Sequence, residues 1–164
     1  MRLWLLRHAK SSWDDAGVPD EDRPLAPRGE RSADRMRAYF ETNDITPDLV
    51  LCSSALRARQ TLARVLPALG PDLEVRIEAA LYTFDAGVLI DRLRLVPADV
   101  ASVLLVGHNP ALQDLAGRLA DLTQKFPTGA LAEIEVNAGS WATFADRPGA
   151  LTRFVVPREL DAAS

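Results

Sequence analysis

Short uninterrupted apolar runs punctuate this chain, and between them apolar residues recur every three or four positions. Leu3-Trp4-Leu5-Leu6, Leu49-Val50-Leu51-Cys52 and Val103-Leu104-Leu105-Val106 are the clearest runs. Each is too short for a helix and lacks polar alternation, so each predicts a strand buried on both faces, as parallel sheets require. Residues 29–43 predict an amphipathic helix with Ala33, Met36 and Phe40 on one face. Ser53 and Ser54 offer an N-cap to a second helix, whose stripe is Leu62, Leu66 and Leu69 and which Gly70-Pro71 stops. Residues 74–78 alternate like an edge strand, and residues 87–96 predict a third helix. Asn109-Pro110 starts a fourth, with Leu112, Leu115, Ala116 and Leu119 inward.

The last third changes character. Residues 131–136, an Asn137-Ala138-Gly139 turn and residues 140–144 read as a β-hairpin, with a further strand at 152–156. Strand–helix alternation followed by a hairpin predicts an α/β fold. It would be a three-layer α/β/α sandwich with a mostly parallel central sheet and an antiparallel C-terminal hairpin. No internal repeat or linker divides residues 1–164, so a single domain is expected.

Charge and cysteine content narrow the function. A net charge of −4 argues against a general nucleic-acid surface, so any anion site must be a local concentration of positive charge. The lone Cys52 permits no internal disulfide and suits a reducing compartment. Arg7 interrupts the first apolar run too early for a signal peptide, and no stretch approaches a membrane span. A soluble, cytoplasmic protein is the expectation.

Three predicted strands end in Arg7-His8, in Ser53-Ser54-Ala55-Leu56-Arg57, and in Gly107-His108-Asn109. If those strands are parallel neighbours, both histidines of the chain and two arginines open on one sheet edge, where α/β folds bind ligands. Singly, each residue has a plainer reading: Arg7 in an ion pair with a loop carboxylate, His8 and His108 as packed histidines, Arg57 as an exposed first-turn residue. Together they suggest a phosphate-handling site, with Arg57 adding a planar guanidinium to a helix start that already favours anions. A nucleotide-cradling loop and a metal-ligand cluster are both missing from the sequence, so no cofactor and no metal are expected. Four residues separate Cys52 from Arg57, and Cys52 reads as part of a strand, which disfavours a thiol nucleophile. An imidazole remains. To attack phosphorus it must be neutral, with one ring nitrogen donating to a backbone carbonyl. The flanking cations are expected to hold His8 unprotonated near neutral pH.

The same residues carry a resemblance. Leu6-Arg7-His8-Ala9 resembles the Arg-His-Gly signature of the histidine phosphatase superfamily, which includes phosphoglycerate mutases, with alanine in place of the glycine. The stretch from Ser54 through Arg57 to Thr61 resembles that family's second arginine motif, and Gly107-His108-Asn109 its second histidine motif. The short length and Arg23-Pro24-Leu25-Ala26-Pro27-Arg28-Gly29 are similar to the SixA-type phosphohistidine phosphatases. The resemblance implies a phosphoglycerate mutase-like fold, His8 as the phosphorylated nucleophile, and Arg7, Arg57 and His108 as phosphoryl-binding groups.

One part of the family pattern is absent. Thr83 stands where a mutase would carry its general acid, leaving Glu78 and Asp85 as candidate proton donors. A loop carboxylate such as Asp14 or Asp20, in the acidic segment 11–27, is the other option. An alkoxide leaving group gains about 10²–10⁴-fold in rate from a positioned acid, whereas an imidazole depends on one less. The expected activity is therefore hydrolysis of phosphohistidine on a protein, such as a phosphotransfer domain, with no nucleic-acid or membrane partner. A small-molecule phosphomonoesterase is the alternative on the same fold. A non-catalytic module that binds phosphorylated ligands is the alternative of another class.

Overall fold

The computed structural model describes residues 1–160; residues 161–164, the tail of the expected domain, lie outside the described residues. The first strand, β1 (Arg2–Arg7), leads through a long loop into α1 (Pro27–Thr42), then β2 (Leu49–Ser53) and α2 (Leu56–Val65). The chain continues as β3 (Glu74–Glu78), α3 (Ala86–Leu93), β4 (Ser102–Gly107) and α4 (Ala111–Ala120), and closes with β5 (Leu131–Glu135), β6 (Ala150–Val155) and α5 (Pro157–Leu160). The six strands form one sheet in the order β3-β2-β4-β1-β5-β6. β3, β2, β4 and β1 are mutually parallel, and β5 runs antiparallel to both β1 and β6.

The apolar runs form strands because both faces of each are covered. Alternate side chains point to opposite sides of a pleated strand. Leu3 and Leu5 pack with Leu89 and Leu93 of α3 and Leu112 and Leu115 of α4. Trp4 and Leu6 pack with Met36 and Phe40 of α1 and Leu62 and Val65 of α2. The expected three-layer α/β sandwich is thus present. Each buried leucine of this kind contributes about 2–5 kcal/mol against truncation to alanine.

Three local expectations are corrected. Residues 140–144 are not a strand: Trp141–Thr143 is a turn of 3₁₀ helix that buries both Trp141 and Phe144. The Trp141 indole donates to the Val100 carbonyl at 2.7 Å. The antiparallel partner of β5 is instead β6, where residues 152–156 suggested a further strand. The α2 stripe fails at Leu66, which is 38% exposed. The chain tightens to 3₁₀ geometry at Leu66–Ala68, which rotates Leu66 outward, while Val65 and Leu69 stay inside. Neither serine caps α2: its N-cap is Ala55, without a side-chain cap, and Arg57 is the second helical residue.

Candidate functional site

The topology brings three strand ends together. β1 lies beside β4, with Arg7 level with Gly107, and β2 lies on β4's other side, with Cys52 level with Val106. His8 continues the ladder by donating its N–H to the Gly107 carbonyl at 3.0 Å. The segments after Arg7, Ser53 and Gly107 therefore leave the same sheet edge side by side. They open into a cleft of about 600 Å³ lined by Arg7, His8, Arg57 and His108, with Lys10, Arg23, Asp20 and Tyr82 around them. Four cationic side chains face one carboxylate there, in a chain whose net charge is −4.

His8 is buried and oriented. Its Nδ1 lies 2.7 Å from the Ala9 carbonyl oxygen, which can only accept, so Nδ1 carries the proton and Nε2 keeps its lone pair. Arg57 Nε–H points at that Nε2 from 3.4 Å. Burial first, and then the nearby His108, Arg57 and Arg7, push the His8 pKa down to about 3, partly opposed by the Ala9 hydrogen bond. The flanking cations act as expected, but loss of hydration is the larger cause.

His108 sits against it with ring centroids 5.1 Å apart. Its Nε2–H donates to Ser53 Oγ at 2.7 Å, and its Nδ1 faces Arg57 Nη2 at 3.4 Å. Ser53 thus serves His108 instead of capping α2, while also accepting from the Ala55 N–H at 3.2 Å. Burial and the Arg57 charge lower the His108 pKa to about 4. Arg57 therefore touches both imidazoles. Thr61 fixes it to the segment that follows β1, because its hydroxyl donates to the Arg57 carbonyl at 2.7 Å and accepts from the Ala9 N–H at 3.0 Å.

Arg7 donates through Nη1 to the Phe126 carbonyl at 2.9 Å, while its buried Nε has no hydrogen-bond acceptor among the described residues. Burial and the neighbouring Arg57 both lower its pKa. Arg23 was not singled out for the site by sequence reasoning, yet it is buried in the same cleft. It holds Ser11 Oγ through Nη2, and its Nε and Nη1 lack hydrogen-bond acceptors. Buried donors of this kind are costly unless something accepts from them. Guanidinium donors of this kind match the acceptor oxygens of an oxyanion, a phosphoryl group or a carboxylate.

Of the candidate proton donors, Asp20 alone lines the cleft, and the two placed after the third strand are engaged elsewhere. Glu78 is held by Arg92 at 2.7 Å through each carboxylate oxygen, and that pairing lowers its pKa. Asp85 caps α3 by accepting from the Gly87 N–H at 2.8 Å. Among the described residues lining the cleft, Asp20 is the sole carboxylate; Asp14, Glu78 and Asp85 are absent from its walls. A short 3₁₀ turn, Asp20–Asp22, brings Asp20 onto Arg57, which it meets through Oδ2 at 3.0 Å and through its carbonyl at 2.7 Å. The Tyr82 hydroxyl donates to the same carboxylate. That hydrogen bond and the Arg57 charge hold Asp20 below the usual carboxylate range despite some burial. Cys52 is fully buried, and burial raises its pKa to about 12, so it offers no thiolate. No group of three or more metal-ligating side chains occurs among the described residues. Likewise, none of the described helices is long and apolar enough to cross a membrane.

The family model described as Histidine phosphatase superfamily (branch 1) matches residues 3–95. The chain belongs to that superfamily. Among its superfamily relatives, an uncharacterized protein of Mycobacterium tuberculosis is 40% identical, over 93% of this chain and 100% of that protein. The phosphohistidine phosphatase SixA of Escherichia coli is 28% identical, over 88% of this chain and 91% of that one. In structure, the chain is similar to the histidine phosphatase SixA complexed with tungstate, at a TM-score of 0.82 and 26% identity, covering 98% of this chain and 99% of that one.

Proposed function

We propose that this superfamily member hydrolyses phosphohistidine on a protein through a covalent phosphohistidine at His8. The observation that carries the reading is the pairing of an oriented, neutral imidazole with a cleft whose carboxylate is tied up on arginine. His8 Nε2 presents its lone pair beside Arg57, and Asp20 is held ionised by Tyr82 and Arg57 instead of being kept protonated for delivery to a leaving group. In the first step Nε2 attacks phosphorus in line and the P–N bond of the substrate breaks. The electron pair stays on the departing imidazole, which leaves neutral when its far nitrogen is protonated. Arg7, Arg57 and His108 stabilise the charge spread over the equatorial oxygens. Water then attacks the phosphorylated His8, releasing orthophosphate and restoring the ring. The similarity to SixA phosphatases supports the same substrate class.

The test is turnover of a protein carrying phosphohistidine, wild type against His8→Ala. The wild type should release phosphate and, when quenched, retain an acid-labile, base-stable phosphoryl label that His8→Ala lacks. A strong preference for alkyl phosphates over phosphohistidine would overturn the substrate assignment in favour of a small-molecule phosphomonoesterase. Oxyanion binding without turnover would point to a binding module.

A further inference from the structure

Six large apolar side chains are exposed among the described residues, and their distribution is uneven. The four aliphatic ones, Leu66, Ile77, Val88 and Leu95, lie away from the cleft. The two aromatic ones, Trp13 at 70% and Phe84 at 51% exposure, both line it. Scattered exposed apolar residues need no explanation, but two rings on the wall of one cationic cleft are a local concentration.

Both rings are held by residues of the cleft. The Arg23 guanidinium lies 3.1 Å from the centroid of the Trp13 ring. Phe84 meets the edges of Tyr82 and His108 at centroid distances of 5.8 Å, with interplanar angles of 78° and 79°. The guanidinium groups can recognise a phosphoryl group whatever it is attached to. An indole and a phenyl ring add nothing for an oxyanion, but they complement a flat, weakly polar ring through stacked or edge contacts.

We propose that Trp13 and Phe84 are specificity-determining residues that grip a planar ring on the leaving group while the phosphoryl group sits on the arginines. Resting on the phosphohistidine reading above, this assigns the imidazole of the substrate histidine to the aromatic wall. A ring-free leaving group such as ammonia reaches neither residue.

The test compares two P–N substrates, free phosphohistidine and phosphoramidate, which share the bond broken but differ in the ring. The quantity read is the ratio of kcat/KM for phosphohistidine to that for phosphoramidate. A ratio cancels any general effect transmitted through Arg23 or His108. Trp13→Leu and Phe84→Leu should each lower it about three- to ten-fold, and Trp13→Phe and Phe84→Trp should restore most of it. A ratio unchanged by both leucine substitutions, in a wild type that does hydrolyse phosphohistidine, overturns this inference and leaves the proposed function standing. A wild type that hydrolyses phosphoramidate but not phosphohistidine, whether free or on a protein, overturns both, and does so before any variant is made.

Discussion

Two buried, neutral histidines make stability depend on pH in a calculable way. An unfolded imidazole titrates near pH 6.5, whereas His8 and His108 are held down to about 3 and about 4. The unfolded chain therefore binds more protons than the native one across this window, so stability rises with pH. This contribution is complete above about pH 6.5, falls as pH is lowered, and levels off only when the native rings protonate near pH 3 to 4. Between pH 7 and pH 5 each ring costs about 2 kcal/mol, and the pair about 4 kcal/mol. Both native values lie below pH 5, so this cost is set almost wholly by the unfolded titration. Urea unfolding at pH 7 and pH 5 would measure it, comparing wild type with the double variant His8→Gln, His108→Gln. Carboxylates titrate in both proteins and cancel in the comparison. The wild type should lose about 4 kcal/mol more than the double variant. Equal losses would show that the rings titrate normally in the folded protein, and the assignment of His8 Nε2 as a free lone pair near neutral pH would fall with them.

Other substitutions probe single contacts. Arg57→Lys keeps the charge but loses the planar fork that reaches both imidazoles, and kcat/KM on phosphohistidine should fall about 10²–10³-fold in steady-state assays. Asp20→Asn removes the anion that competes for Arg57, so inhibition by orthophosphate should tighten several-fold while kcat stays within about tenfold; a fall of about 10²–10⁴-fold in kcat would instead make Asp20 the proton donor. Gly29→Ala would drive a Cβ into the Lys10 carbonyl, just beyond His8, and should lower stability by at least about 1–3 kcal/mol on thermal or urea unfolding.

Much of this was legible in the residues because burial leaves a direct trace in sequence. The runs at residues 3–6, 49–52 and 103–106 are apolar on both faces because helices cover both, and their polar C-terminal neighbours mark the cleft. Trp141 and Phe144 misled because a 3₁₀ turn can bury two aromatics three positions apart within a stretch that otherwise resembles a strand. Arg23 was harder still. It lies in an acidic, proline-rich loop with no periodicity, and its place depends on contacts across that loop with Trp13 and Ser11. Tyr82 is similar, since its role depends on Asp20, which is 62 positions away.

The strand order has a consequence for a chain emerging from the ribosome. Residue 8 is made early, but its ladder partner β4 ends at Gly107, and β4 is also the strand that joins β1 to β2. Until then His8 has neither the Gly107 carbonyl, nor His108, nor an Arg57 docked against it. A nascent chain therefore carries an ordinary, solvated histidine, and the buried, oriented imidazole comes into being only when these long-range pairings close. Activity should then appear abruptly with chain length, and a truncated product ending before residue 102 should be inert toward phosphorylated proteins.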